Sequence, residues 1–177
     1  MARTIATVIT VGVLLGVLGL MLRGWRRRGR RDAELPAGYP LPFDTARVIA
    51  SAAVLYVATT LRAQPLERLN IRGLGFRARA RLTVTDAGVI LALAGEEAVF
   101  IPASAVAVLE DASVAIDRAV ETDGLLLLGW RLAGTPVQIV DSYFRILDPS
   151  DRVSVNDAIR TIAADALRPV ARDESEA

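Results

Sequence analysis

Residues 76–94 read FRARARLTVTDAGVILALA. Phe76, Ala78, Ala80, Leu82 and Val84 alternate with Arg77, Arg79, Arg81, Thr83 and Thr85, so apolar side chains fall on one face of a strand and basic or hydroxyl ones on the other. Asp86-Ala87-Gly88 is a turn signal and residues 89–94 are the returning strand. A hairpin with one apolar face is not stable alone. It needs further strands or a helix to cover that face, and the flanking sequence supplies both.

Downstream, Gly95-Glu96-Glu97 turns the chain into a short strand at Val99-Phe100-Ile101, closed by Pro102. Residues 103–110 fit strand or helix equally, and 111–122 carry the weakest pattern. Asp123-Gly124 then leads into an apolar strand over 125–132, and Ala133-Gly134-Thr135 turns it into a partner over 137–146. Asp148-Pro149 is a helix start, with Ser154-x-x-Asp157 as a second, box-like cap. Val155, Ile159, Ile162 and Ala166 form the stripe that should face the sheet, and Pro169 is the expected stop. Upstream, residues 48–61 are uncharged between Arg47 and Arg62. Fourteen residues are too few for a helical membrane pass, and Val54, Tyr56, Val57, Thr59 and Thr60 favour a strand.

Residues 4–22, TIATVITVGVLLGVLGLML, contain no charge and are just long enough for a transmembrane helix. Arg3 precedes the run, whereas Arg23, Arg26, Arg27, Arg28, Arg30 and Arg31 follow it, with Trp25 at an interfacial position. That asymmetry places the N-terminus outside and the C-terminal part in the cytoplasm. A cleaved signal peptide would carry its charge on the other side and a small-residue cleavage site, which RGWRRRGRR is not. Gly12 and Gly16 form a G-x-x-x-G pair suited to close helix packing. The six arginines after the run are candidates for anionic-lipid contact. Residues 1–31 are thus expected to be a membrane helix with its arginine flank, 32–45 a Pro-rich linker, 46–168 a single domain and 169–177 an acidic tail.

The formal charge of +1 hides a division. Residues 1–31 carry seven arginines and no acid, while the remainder has fourteen of the 21 arginines and all 20 acids, a local −6. There is no His, Cys or Lys. Imidazole bases, thiol nucleophiles, zinc sites, disulfides, Schiff bases and P-loop lysines are therefore excluded. Gly73-x-Gly75-x-x-Ala78 imitates a dinucleotide fingerprint, but a strand follows it instead of a helix, so both glycines read as turn residues. Glu96-Glu97 and Glu110-Asp111 point to opposite sides if extended, so neither pair can share a proton or a metal. Trp130 reads as a core anchor with Arg131 pointing outward. Arg77, Arg79 and Arg81 are the candidate ligand or partner site, set against a simpler role in keeping an outer sheet edge soluble.

Tyr56-Val57-Ala58-Thr59-Thr60, Gly73-Leu74-Gly75 with Arg77, residues 82–89, Phe100-Ile101-Pro102-Ala103, Gly124-Leu125 with Trp130, and Phe144-Arg145 stand in an order that resembles a family of actinobacterial single-pass membrane proteins carrying one bacterial PH-like domain. Six or seven strands before one amphipathic helix fit the same plan: an α+β fold, a bent antiparallel β-barrel capped by a C-terminal α-helix. The resemblance implies a membrane anchor and no established activity. Residues 111–123 and Asp141-Ser142-Tyr143 depart from the family's pattern. The expected function is a non-catalytic, membrane-anchored cytoplasmic binding module for a protein or anionic lipid, without cofactor, metal or nucleic acid. The alternative is an accessory subunit of a membrane transporter or of a metabolic enzyme complex.

Overall fold

The computed structural model describes residues 2–32, 35, 38–42, 46–112, 114–115, 118–119, 124–134 and 136–167. The chain divides into two compact units, 1–35 and 36–177. The first holds one helix, α1 (Ala2–Asp32), which runs on through the arginine flank. Among the described residues no helix is long and apolar enough to cross a membrane. The transmembrane reading of residues 4–22 is therefore not supported among the described residues.

The second unit is built around β1 (Val48–Leu61), which pairs antiparallel with strands on both sides. The others are β2 (Gln64–Arg68), β3 (Ala78–Thr85), β4 (Gly88–Leu93), β5 (Val99–Pro102), β6 (Val106–Ala112), β7 (Val114–Ala115), β8 (Arg118–Ala119), β9 (Leu125–Arg131) and β10 (Ile139–Ile146). The main sheet runs β5-β4-β3-β1-β10-β9-β6, with β2 added on β1, while β7 and β8 form a ladder of their own. A 3-10 turn, Ala103–Ala105, joins β5 to β6, and these two strands are the ends of the path. The expected barrel is thus a bent sheet whose last edges do not pair with each other among the described residues.

The helix α2 (Pro149–Ile162) follows the last strand. Asp148 caps it, its carboxylate accepting the Ser150 N–H at 2.9 Å and the Ser150 hydroxyl at 2.7 Å. Those bonds to the charged form hold the Asp148 carboxyl below its ordinary value. Ser154 lies inside the helix and is not a second cap. Val155, Ala158 and Ile159 are buried, each large one contributing about 2 kcal/mol by leaving water. The helix stops at Ile162, well before Pro169, which lies outside the described residues. One residue earlier the Thr161 hydroxyl bonds back to the Asp157 carbonyl, a contact that weakens a helix terminus.

Polar groups cross the core in a single line. Trp130, fully buried, donates its Nε1–H to Ser142 Oγ at 3.0 Å, and Ser142 Oγ lies 2.7 Å from Thr59 Oγ1. The Tyr56 hydroxyl is 2.9 Å from Thr59 Oγ1 and 2.7 Å from the Leu74 carbonyl. Since the carbonyl can only accept, Tyr56 gives it its one proton and takes the Thr59 proton in return. Protons therefore point one way from Trp130 to Leu74. Burial pushes the Tyr56 phenol up to about 12, which keeps the donor in place. Tyr56 and Thr59 are three residues apart, an odd spacing that would put them on opposite faces of a regular strand. A bulge between Tyr56 and Ala58 against β10 brings them to the same one. Ser142→Ala removes the middle of the line and strands the Trp130 N–H; urea denaturation is expected to show a loss of about 1–3 kcal/mol.

Candidate functional site: the outer face of the sheet

Side chains paired directly across antiparallel strands share a face. Leu55 on β1 pairs with Arg79 on β3 and with Arg145 on β10, and Ala53 pairs with Arg81, which also faces Ala92 on β4. All three arginines are exposed on the side opposite the core. Arg79 and Arg145 are separated by two strand spacings, about 10 Å, and Arg81 stands about 7 Å along from Arg79. Their cross-strand neighbours are Leu, Ala and Ala, with no acid among them. None of the three has an ion pair among the described residues. Ser51 and Thr83, joined at 3.3 Å, continue the face beyond Arg81.

This alters the sequence reading in three ways. Arg77 precedes β3 in the loop, so only Arg79 and Arg81 of the predicted trio share the strand. Phe76 is likewise outside it and 73% exposed, where the alternation had placed it inward. Finally, β3 lies between β1 and β4, so its charges protect no sheet edge. Arg145 was missed because strand alternation says which side a residue takes but not which residue stands opposite. Gly73 does sit in a turn, with φ +79°. On α1, nothing lies within 4 Å of a Cβ built on Gly12 or Gly16. Arg23 and Arg26 are exposed there, and the side chains of Arg27, Arg28, Arg30 and Arg31 lie outside the described ones.

Further along the same face the charges are neutralised. Arg62 Nη1 donates to Asp141 Oδ1 at 3.1 Å, and Arg62 Nη2 lies 4.0 Å from Glu110. The ion pair lies over Gly129: a Cβ there would fall 2.9 Å from Asp141 Oδ1, 2.9 Å from Val108 Cβ and 3.0 Å from Arg62 Nη1. Glycine in the middle of β9 is thus required by space. Beside it Leu125, Leu127 and Tyr143 form a small apolar cluster with Val57, Val108 and Ala112 against it. Burial pushes the Tyr143 phenol up. On the other side of β6, Asp111 takes Arg152 of α2 at 2.6 Å. Glu110 and Asp111 do point apart, each toward its own arginine, whereas Glu96 and Glu97 are exposed in a turn. Trp130 is the core anchor expected of it, and Arg131 donates outward to the Ser104 carbonyl at 3.1 Å.

The linker reading also changes. Tyr39 N–H donates to the Phe100 carbonyl at 3.0 Å, forming an antiparallel bridge on β5, and its hydroxyl donates to the Arg131 carbonyl at 3.0 Å. Tyr39 is thus bonded to the domain, within the stretch read as a linker.

A bent antiparallel sheet of seven strands in this order, followed by one packed helix, is the architecture of PH-like domains. The chain belongs to the Bacterial PH domain-like family, matched over residues 33–160, a span that includes Tyr39. Among solved structures it is similar to the C-terminal phosphotyrosine interaction domain of APBB2 from mouse, with a TM-score of 0.47 and 14% identity over 76% of this chain and 97% of that one. No curated protein matches.

Asp141 is 5% exposed, and burial raises its carboxyl above the ordinary value despite Arg62. A raised folded value means that the folded state holds the proton more tightly, so this group's stabilisation is complete below the unfolded value, near 4, and is lost as pH rises through the folded one. Relative to Asp141→Asn, the wild type is expected to gain unfolding free energy as pH falls from 7 towards 4. Urea titrations at several pH values check this, and a pH-independent difference would exclude it.

Proposed function

We propose that the chain is a membrane-tethered, non-catalytic binding module whose arginine face holds an anionic surface. The observation that carries this reading is the placement of Arg79 and Arg145 on either side of Leu55, with Arg81 next to them, all exposed and without carboxylate neighbours. Guanidiniums that have no ion pair among the described residues, set on neighbouring strands, offer several donors to phosphates or carboxylates at once. The domain outside the N-terminal unit is otherwise acidic, so the positive potential is local and is directional for that reason.

The tether is supported by the uncharged run 4–22 and by the exposed apolar side chains along α1, among them Leu14, Leu15, Leu18 and Leu20. The excess of arginines after the run supports an N-terminus outside and a domain in the cytoplasm, where the leaflet is anionic. Arg23 and the arginines that follow it belong to that same contact.

Flotation of residues 36–177 on vesicles with and without anionic lipid tests the face. Binding to anionic vesicles is expected to drop about tenfold or more in the combined variant Arg79→Ser, Arg81→Ser and Arg145→Ser, and to weaken with salt. Equal flotation of wild type and variant removes lipid as the source of the anionic surface. Crosslinking of the full chain in membranes then reports an acidic protein on the same three positions. Protease added outside intact cells is expected to leave the C-terminal tail uncut, and digestion would reverse the orientation.

A further inference from the structure

The loop between β2 and β3 carries four large apolar side chains and buries three of them. Leu69, Ile71 and Leu74 are at most 1% exposed, whereas Phe76 is 73% exposed. The loop that holds Phe76 out is closely tied down. The Leu74 N–H bonds to the Ile71 carbonyl at 2.9 Å, and the Leu74 carbonyl takes the Tyr56 proton at the end of the core line. One residue on, the Gly75 carbonyl accepts Arg68 Nη1 at 3.2 Å, and Arg68 Nη2 donates to the Val57 carbonyl. A Cβ on Gly75 would fall 2.5 Å from Asn70 Oδ1, so the loop closes on itself at that point. Leu66, 74% exposed, stands two residues before Arg68. The pairing of β2 with β1 passes from Leu61–Gln64 directly to Thr60–Arg68, which throws residues 65–67 out as a bulge with Leu66 at its middle. Two large apolar side chains are thus exposed on neighbouring turns that one guanidinium joins.

Tips of this kind fit either a pocket in a protein or the boundary between lipid headgroups and acyl chains, and the charge around them separates the two. Between Glu67 and Asp86 the chain holds five arginines (Arg68, Arg72, Arg77, Arg79 and Arg81) and no acid, inside a domain that is acidic as a whole. Arg72 and Arg77 are exposed on either side of Phe76 along the chain. Arg79 begins the arginine face three residues further on, about 10 Å of extended chain. At an anionic interface the ring would leave water while the guanidiniums stay among the headgroups. We propose that Phe76 and Leu66 are an apolar anchor that enters the acyl boundary of an anionic lipid surface beside the arginine face, to a depth of about 5–10 Å. The anchor rests on the tethered, anion-binding reading above, and it adds to that reading a contact that salt does not screen.

The chain contains no cysteine, so one introduced thiol carries a fluorophore at one known place. Phe76→Cys, Leu66→Cys and, as a reference, Asp157→Cys on α2 are made in the full chain and labelled with nitrobenzoxadiazole. All three side chains are exposed, so none of the substitutions opens the core. The labelled chains are reconstituted into phosphatidylcholine vesicles with and without phosphatidylglycerol. With the anionic lipid, emission at the two anchor positions is expected to shift to shorter wavelength. Lipids brominated near the top of the acyl chain are expected to quench it more than lipids brominated near its end, and the label on α2 is expected to stay in water. A chain that floats with the vesicles while both anchor labels stay in water overturns the anchor. A shift without quenching would mean protein over the tips in place of lipid, and overturns it equally. If the arginine face alone fails, the quenching is the same with and without phosphatidylglycerol and survives Arg79→Ser, Arg81→Ser and Arg145→Ser. If the tether alone fails, high salt strips the chain from the vesicles. A chain that floats with neither composition overturns tether, face and anchor together.

Discussion

The line of hydrogen bonds from Trp130 through Ser142, Thr59 and Tyr56 to the Leu74 carbonyl joins β9, β10, β1 and the loop before β3. Four polar side chains buried together would oppose folding if any were unpaired, and here each partner has one geometry in which all are satisfied. That condition selects the register of β10 against β1, and it requires the bulge after Tyr56. Everything on the outside of the sheet follows from the same register. With Thr59 opposite Ser142 and Tyr56 opposite Phe144, Leu55 must stand opposite Arg145, and the arginine face assembles as a by-product of the core.

The outer face then divides into two regions of different character. Around Leu55 the arginines have apolar cross-strand neighbours and no ion pair among the described residues. Around Gly129 the one arginine, Arg62, is held between Asp141 and Glu110 and lies flat on a strand that lacks a side chain at that point. The neutralised region adjoins the buried Leu125, Leu127 and Tyr143 cluster, where an unpaired charge would be costly. The free region adjoins solvent, where it costs little. Burial therefore decides which charges are compensated, and the uncompensated ones remain where a partner can reach them.

Much of this architecture can be read from the residues. The alternation over 78–85, the apolar run 125–131, the Asp148 cap and the core role of Trp130 are all local signals whose periods or chemistry survive folding unchanged. The strands β1, β4, β5, β9 and β10 and the start of the terminal helix are close to where they are expected, whereas β2, β7 and β8 carry no pattern that announces them. The arginine face is only partly legible, since Arg79 and Arg81 announce themselves by spacing while Arg145 joins them through a pairing 66 residues away in the chain. Nor does composition reveal that Gly38 and Tyr39 are structural. A segment of Gly, Tyr and Pro has the content of a linker, and what makes it part of the sheet is a single glycine conformation and two hydrogen bonds to residues about 60 and 90 positions distant.

The absence of His and Lys has a consequence for how such a face can be regulated. Guanidinium groups keep their charge through the whole physiological range, so the affinity of the arginine face for an anionic surface cannot be tuned by pH or by acetylation. Modulation has to come from geometry, from how many such faces act together and how firmly each is positioned.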